Sequence, residues 1–158
     1  MAGGIAAIVD RKRRLTAEEA HAIAADALDG YMNSLYRSLK NLRDGRPFAG
    51  HLDAAESVGP LPMLLFALDL RVRPFSKYLV LDVGRTPLAV PDVLPRVEAS
   101  LRTGAEADQR ALFRDIESIA RARGHGAVVD RWEPDVPFLR GDPSATSSPP
   151  RTGGTGRT

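Results

Sequence analysis

The four residues Thr16-Ala17-Glu18-Glu19 open a helix unambiguously. A threonine hydroxyl can accept from the amide three residues on, and the glutamate there can reach back to the threonine amide. Behind this capping box, Leu28, Met32, Leu35, Leu39 and Leu42 recur at alternating spacings of four and three. That is one apolar stripe along a helix running to about Leu42 and stopping at Asp44-Gly45-Arg46-Pro47. Alanines 17, 20, 22, 24, 25 and 27 let neighbours approach its first turns closely. A helix this long with a single apolar face needs other helices to cover it.

The rest of the chain supplies them. The sequence predicts a second helix over about 49–58 and a third from Pro60 to about Leu70, where Met63-Leu64-Leu65-Phe66-Ala67-Leu68 is almost wholly apolar and should sit centrally. A shorter helix is expected over Phe75–Val83, with Gly84-Arg85-Thr86-Pro87 as loop, then one from Asp92 to about Arg102. The last long helix should span Ala105–Arg123, closed by Gly124-His125-Gly126, with a possible turn near Val128–Trp132. Ile5–Asp10 reads instead as a short β-competent run, which one strand cannot stabilise alone. From Asp142 onward Pro, Ser, Thr and Gly dominate. The expected architecture is an all-α bundle of five to six helices. Residues 1–14 form a remnant strand and linker, 15–140 the helical domain and 141–158 a disordered tail.

Composition excludes several classes. At 43% hydrophobic and 27% charged residues, the chain can bury a core. No run approaches the roughly 20 apolar residues of a membrane span. The apolar N-terminus lacks a leading basic region and runs straight into Arg11-Lys12-Arg13-Arg14, the wrong order for a secretion signal. Without cysteine there is no disulfide framework and no thiolate chemistry. These features predict a cytoplasmic protein. All but three of its 22 basic residues are arginine, yet 20 acidic residues leave a net charge of only +2, too little for a protein that coats nucleic acid.

Polar candidates gather opposite the leucine stripe, where Asn33, Tyr36, Arg37, Lys40 and Arg43 share a face. Arg37, Lys40 and Arg43 stand three apart, so like charges stack unless an anion sits there, and Asp44 relieves part of the charge on Lys40. The face is either a solvated cationic surface or a phosphate-facing stripe. Glu56 lies among small residues, where a partly buried carboxylate needs a cation: an Arg or Lys of the first helix, Lys40 in particular, or Arg73. Arg71, Arg73, Lys77 and Tyr78 follow the apolar third helix. His21, His51 and His125 have no metal-ligand spacing. The pairs Arg46…His51 and Arg14…His21 satisfy a loose Arg-x(4–6)-His ribonuclease pattern of helical toxins, a match expected about once by chance in a chain this rich in arginine. There is no GxxxxGK[ST], GxGxxG, GxSxG or HExxH.

Several blocks in order carry a resemblance: Ile8-Val9-Asp10 through Leu15-Thr16, then Tyr36–Arg46, Leu52–Val58, Leu65–Leu68, Arg71–Leu79, Phe113–Glu117, Gly124–Gly126 and Trp132–Asp135. Over about residues 5–140 the chain resembles the C-terminal helical domain of minimal nucleotidyltransferases of the DNA polymerase β superfamily, including aminoglycoside nucleotidyltransferases. The resemblance implies a two-part enzyme, in which a catalytic head holds Mg²⁺ and a nucleoside triphosphate and the helical part walls the cleft. It implies that Lys40, Arg73 and Lys77 contact triphosphate or acceptor, with Tyr36 and Arg37 beside them, and that Glu56 orients the acceptor hydroxyl. The Gly-Ser and Asp-x-Asp of the metal-binding head are missing from this chain, so no residue is assigned a catalytic or metal-binding role and the chain is expected to be incomplete alone. The alternative is a stand-alone helical interaction module, HEPN-like and of the toxin–antitoxin type, binding a protein partner.

Overall fold

The computed structural model describes residues 14–85, 88 and 93–142, and helices dominate them. The first, α1 (Ala17–Arg43), begins as its sequence dictates. Thr16 Oγ1 accepts from the Glu19 amide at 3.2 Å, and Glu19 Oε2 accepts from the Thr16 amide at 2.9 Å. The Thr16 amide, and then the Thr16 hydroxyl, which also donates to Glu19 Oε2 at 2.9 Å, hold the Glu19 carboxyl below the usual range. α1 packs along α2 (Pro47–Val58) and α3 (Pro60–Leu68) and also touches the later helices α6, α7 and α8. Its stripe is the core: Leu28, Met32, Leu35 and Leu39 are fully buried against Leu61, Leu64, Leu65 and Phe66 of α3 and against Leu112, Phe113 and Ile116 of α6. Each such side chain contributes roughly 2 kcal/mol on leaving water. Leu42 is only half-buried, because α2 turns back there.

The α1–α2 turn is tight for a stated reason. Gly50 stands against the last turns of α1, where an added Cβ would lie 2.7 Å from the Leu42 side chain. Ser38 Oγ then donates to the Gly50 carbonyl at 2.7 Å.

α3 ends with its apolar run at Leu68, just before the expected end near Leu70. Leu70 takes a left-handed conformation at φ 56°, and the amides of Leu70 and Arg71 bond back to the carbonyls of Ala67 and Phe66. This reversal aims the chain at the entrance of α1, where Arg71 forms an isolated antiparallel bridge with Arg14 and Leu15 N–H donates to the Leu70 carbonyl at 2.9 Å. The backbone just before α1 therefore has a partner that its sequence did not reveal. The predicted strand Ile5–Asp10 itself lies outside the described residues, as does nearly all of the predicted tail.

Beyond Pro74, Phe75 is extended and the expected helix starts late, as a 3₁₀ turn at Ser76–Tyr78 followed by α4 (Leu79–Arg85). Gly84 and Arg85, expected as loop, belong to α4. α5 (Val93–Thr103) packs on α6 (Glu106–Ala122) and α2, and α7 (Gly126–Asp130) and α8 (Val136–Arg140) return to α1 and α6. α8 was not foreseen: five residues that include Pro137 show no periodicity, yet Val136, Phe138 and Leu139 are buried. The buried carboxylate of Glu117 fastens α8 to α6, accepting from Arg140 at 2.7 and 2.5 Å and from Arg121 at 2.8 Å. Among the described residues no helix is long and apolar enough to cross a membrane.

Candidate functional site

The helical hairpin of α1 and α2 places the predicted residues on two adjoining faces. On the first, Arg37 is the hub. Its Nη2 reaches Glu56 Oε2 at 2.5 Å and Asp53 Oδ1 at 3.2 Å. Asp53 Oδ2 in turn accepts from Asn41 Nδ2 at 2.7 Å, and Asn41 Oδ1 accepts from Arg46 Nε at 2.7 Å. Asp44 closes the row by accepting from Arg43 and Arg46, each at 2.8 Å. The guanidiniums stacked on α1 are thus met by carboxylates from α2 and the turn. Those two guanidiniums hold the Asp44 carboxyl below the usual carboxylate range, chiefly through the Arg43 hydrogen bond.

Three expectations change here. Glu56 is not buried: its side chain is 62% exposed. Its cation does come from the first helix, but it is Arg37 and neither Lys40 nor Arg73. Asp44 is engaged by Arg43 and Arg46 rather than relieving Lys40. Asp53 and Asn41 were missed, although their spacing offered the signal. Asp53 and Glu56 stand three apart on α2, and Arg37 and Asn41 four apart on α1, so each pair shares one face.

The second face carries Tyr36 and Lys40. The Tyr36 ring meets Phe138 edge-on at 5.8 Å and Trp132 at 6.2 Å, and Lys40 Nζ lies 5.7 Å from the Tyr36 centroid. Burial, and secondarily the charge of Asp135, push the Tyr36 phenol upward, with Arg43 opposing them. Trp132 is fixed by its Nε1–H, which donates to Asp29 at 2.9 Å. No carboxylate pairs with Lys40 among the described residues, so its ammonium remains available beside the Arg37–Glu56 pair one helical turn away. The ridge therefore offers an exposed, arginine-steered carboxylate next to a cation.

Arg73 and Lys77 do not join this ridge. Arg73 donates to Ser76 Oγ at 2.9 Å, and Lys77 Nζ sits 4.8 Å from the centroid of Tyr78. No ion pair or hydrogen bond links either to Arg37, Lys40 or Glu56 among the described residues. The six predicted residues fall into two groups, on α1–α2 and on the segment after α3.

The histidines follow a third pattern. His51 stands on Gly104, whose φ of +58° and missing Cβ make room for it; an added Cβ would lie 2.1 Å from His51 Nδ1. Arg46, its supposed ribonuclease partner, is turned to Asn41 and Asp44. His21 of α1 stacks on His125 with ring centroids 4.5 Å apart. His125 is buried, and that burial, with the charge of His21, lowers its pKa. No group of three or more His, Asp or Glu among the described residues is arranged to hold a metal ion. An open groove of about 510 Å³ lies elsewhere, lined by Glu106, Ala107, Arg110, Phe138, Gly141 and Asp142. No family model, no curated protein and no solved structure matches the chain significantly.

Proposed function

We propose that this chain is a helical nucleotide- or substrate-positioning domain of a nucleotidyltransferase-like protein, catalytically incomplete alone. One observation supports the reading. Glu56 is held outward by Arg37 at 2.5 Å while Lys40, one turn further along α1, has no carboxylate partner among the described residues. An ammonium free of carboxylates can anchor a phosphate oxygen, and a carboxylate of fixed direction can accept the hydrogen of an acceptor hydroxyl. The half-exposed Tyr36 ring adds a flat apolar wall beside Lys40. Asp53 and Glu56 share the Arg37 guanidinium, and among the described residues no third His, Asp or Glu joins them to hold a divalent cation. A catalytic head would therefore hold Mg²⁺ and share the triphosphate with this chain, whose own contribution is orientation.

Calorimetry of the full chain with Mg²⁺–ATP and Mg²⁺–GTP tests the reading. Binding in the micromolar range that Lys40→Ala weakens at least about tenfold supports it. Binding untouched by both Lys40→Ala and Glu56→Gln would place the nucleotide elsewhere and remove the ridge from the reading.

A further inference from the structure

The segment after α3 displays what a soluble helix normally hides. Among residues 70–85, Phe75 is 79% exposed, Val80 80% and Leu81 51%. Neither the 3₁₀ turn nor α4 has a buried residue. Leu79 and Val83 pack part-way onto the core, so α4 is seated, and its outward face is the apolar one. The only carboxylate in the segment, Asp82, is drawn inward by Arg71. The remaining cations, Arg73, Lys77 and Arg85, have no carboxylate in ion-pair range among the described residues. The strip thus has an aliphatic centre and a cationic edge with no compensating charge of its own.

From this complementarity we propose that residues 72–85 form a docking surface for another protein's amphipathic helix, one with an apolar stripe and acidic flanks. The surface belongs to the interaction-module reading of the fold and is independent of the nucleotide reading of α1–α2. A helix partner fits because Val80 and Leu81 sit on a seven-residue helix, short enough to match one apolar stripe of i, i+3, i+4 anchors. Carboxylates on its flanks would meet Lys77, Arg73 and Arg85, exchanging solvent around the cations for paired charge. Nucleic acid suits the edge but leaves Val80 and Leu81 with no apolar counterpart.

The test uses the full chain and a fluorescein-labelled helical peptide with leucines at i, i+3, i+4 and i+7 and glutamates on both flanks. Its control has lysines in place of the glutamates. Fluorescence anisotropy should show the acidic peptide binding at least about tenfold more tightly than the basic one, with affinity falling as salt rises. Val80→Asp should weaken it about tenfold while leaving the melting temperature in place, because the side chain is already exposed. Lys77→Glu should reduce the preference for the acidic peptide. Equal binding of both peptides, no binding, or binding unmoved by Val80→Asp would overturn the proposal. So would association with anionic phosphatidylserine vesicles in place of the peptide, or self-association of the chain that Val80→Asp abolishes.

Discussion

On the α1–α2 ridge, Arg37, Arg43 and Arg46 each meet a carboxylate, whereas Arg73, Lys77 and Arg85 meet none among the described residues. Beneath the ridge lies the fully buried row Leu28, Met32, Leu35 and Leu39; around the later cations lie Phe75, Val80 and Leu81, turned outward. Both regions are arginine-bearing and apolar in sequence. The difference comes from what each helix has to pack against. α1 is enclosed by α2, α3 and α6, so its apolar face is consumed and its polar face is close enough to α2 to be paired. α4 rests on one side only, so an aliphatic face and its cations are both left over. Charge content alone says little about which cations are available for a ligand; pairing decides it.

The largest expected break is in the ridge's foundation. Leu39→Ala, at a side chain with no exposure, should cost about 3 kcal/mol in urea unfolding. A loss under about 1 kcal/mol would mean that α1 is not the enclosed helix described here. Next, Asp53→Ala removes a partner of both Arg37 and Asn41 and should cost about 1–2 kcal/mol, since Asn41 loses its acceptor in a part-buried position. No loss would show the ridge pairing to be idle.

Acid sharpens the comparison through two buried groups outside the strip. His125 has a lowered pKa because burial, then His21, disfavour its cation. The unfolded chain therefore takes up the proton first, so stability is complete above about pH 6.5 and declines as pH falls below that value. The carboxyl of Glu117 is lowered chiefly by the Arg140 hydrogen bonds, so its contribution is complete above about pH 4.3 and is lost as pH falls through its folded value. Unfolding free energies measured from pH 8 to pH 3 should show both declines. His125→Leu should flatten the upper one and Glu117→Gln the lower. The smallest effect is expected on the strip: Val80→Ser should change stability by less than about 0.5 kcal/mol by the same assay. A larger loss would mean that α4 is part of the core.

Much of the fold was legible. The capping box, the leucine stripe, the proline-opened third helix and the glycine-closed last long helix each state a local rule that tertiary packing then obeyed. Leu70 broke the expected end of α3, because a left-handed leucine is unfavourable unless the chain reversal is held from elsewhere, here by the Arg14–Arg71 bridge and the Leu15 amide. α8 was invisible because its five residues fold by burying Val136, Phe138 and Leu139, not by propensity. At the site, the nearness of Arg37 and Lys40, one turn apart on α1, was readable from spacing on one helix, but not that they turn to adjoining faces. That Arg37 belongs to Glu56 and Asp53, and that Tyr36 leans on Trp132 and Phe138, depends on contacts between distant segments. The stacking of His21 on His125, 104 positions apart, is of the same kind.

Amide hydrogen exchange on the full chain, alone, with saturating Mg²⁺–ATP and with the acidic helical peptide, tests most directly whether the paired ridge and the unpaired strip are separate surfaces. The account predicts that nucleotide slows exchange within 36–56 and leaves 76–85 unchanged, and that the peptide does the reverse. Protection of 76–85 by nucleotide, or of 36–56 by the peptide, would contradict it.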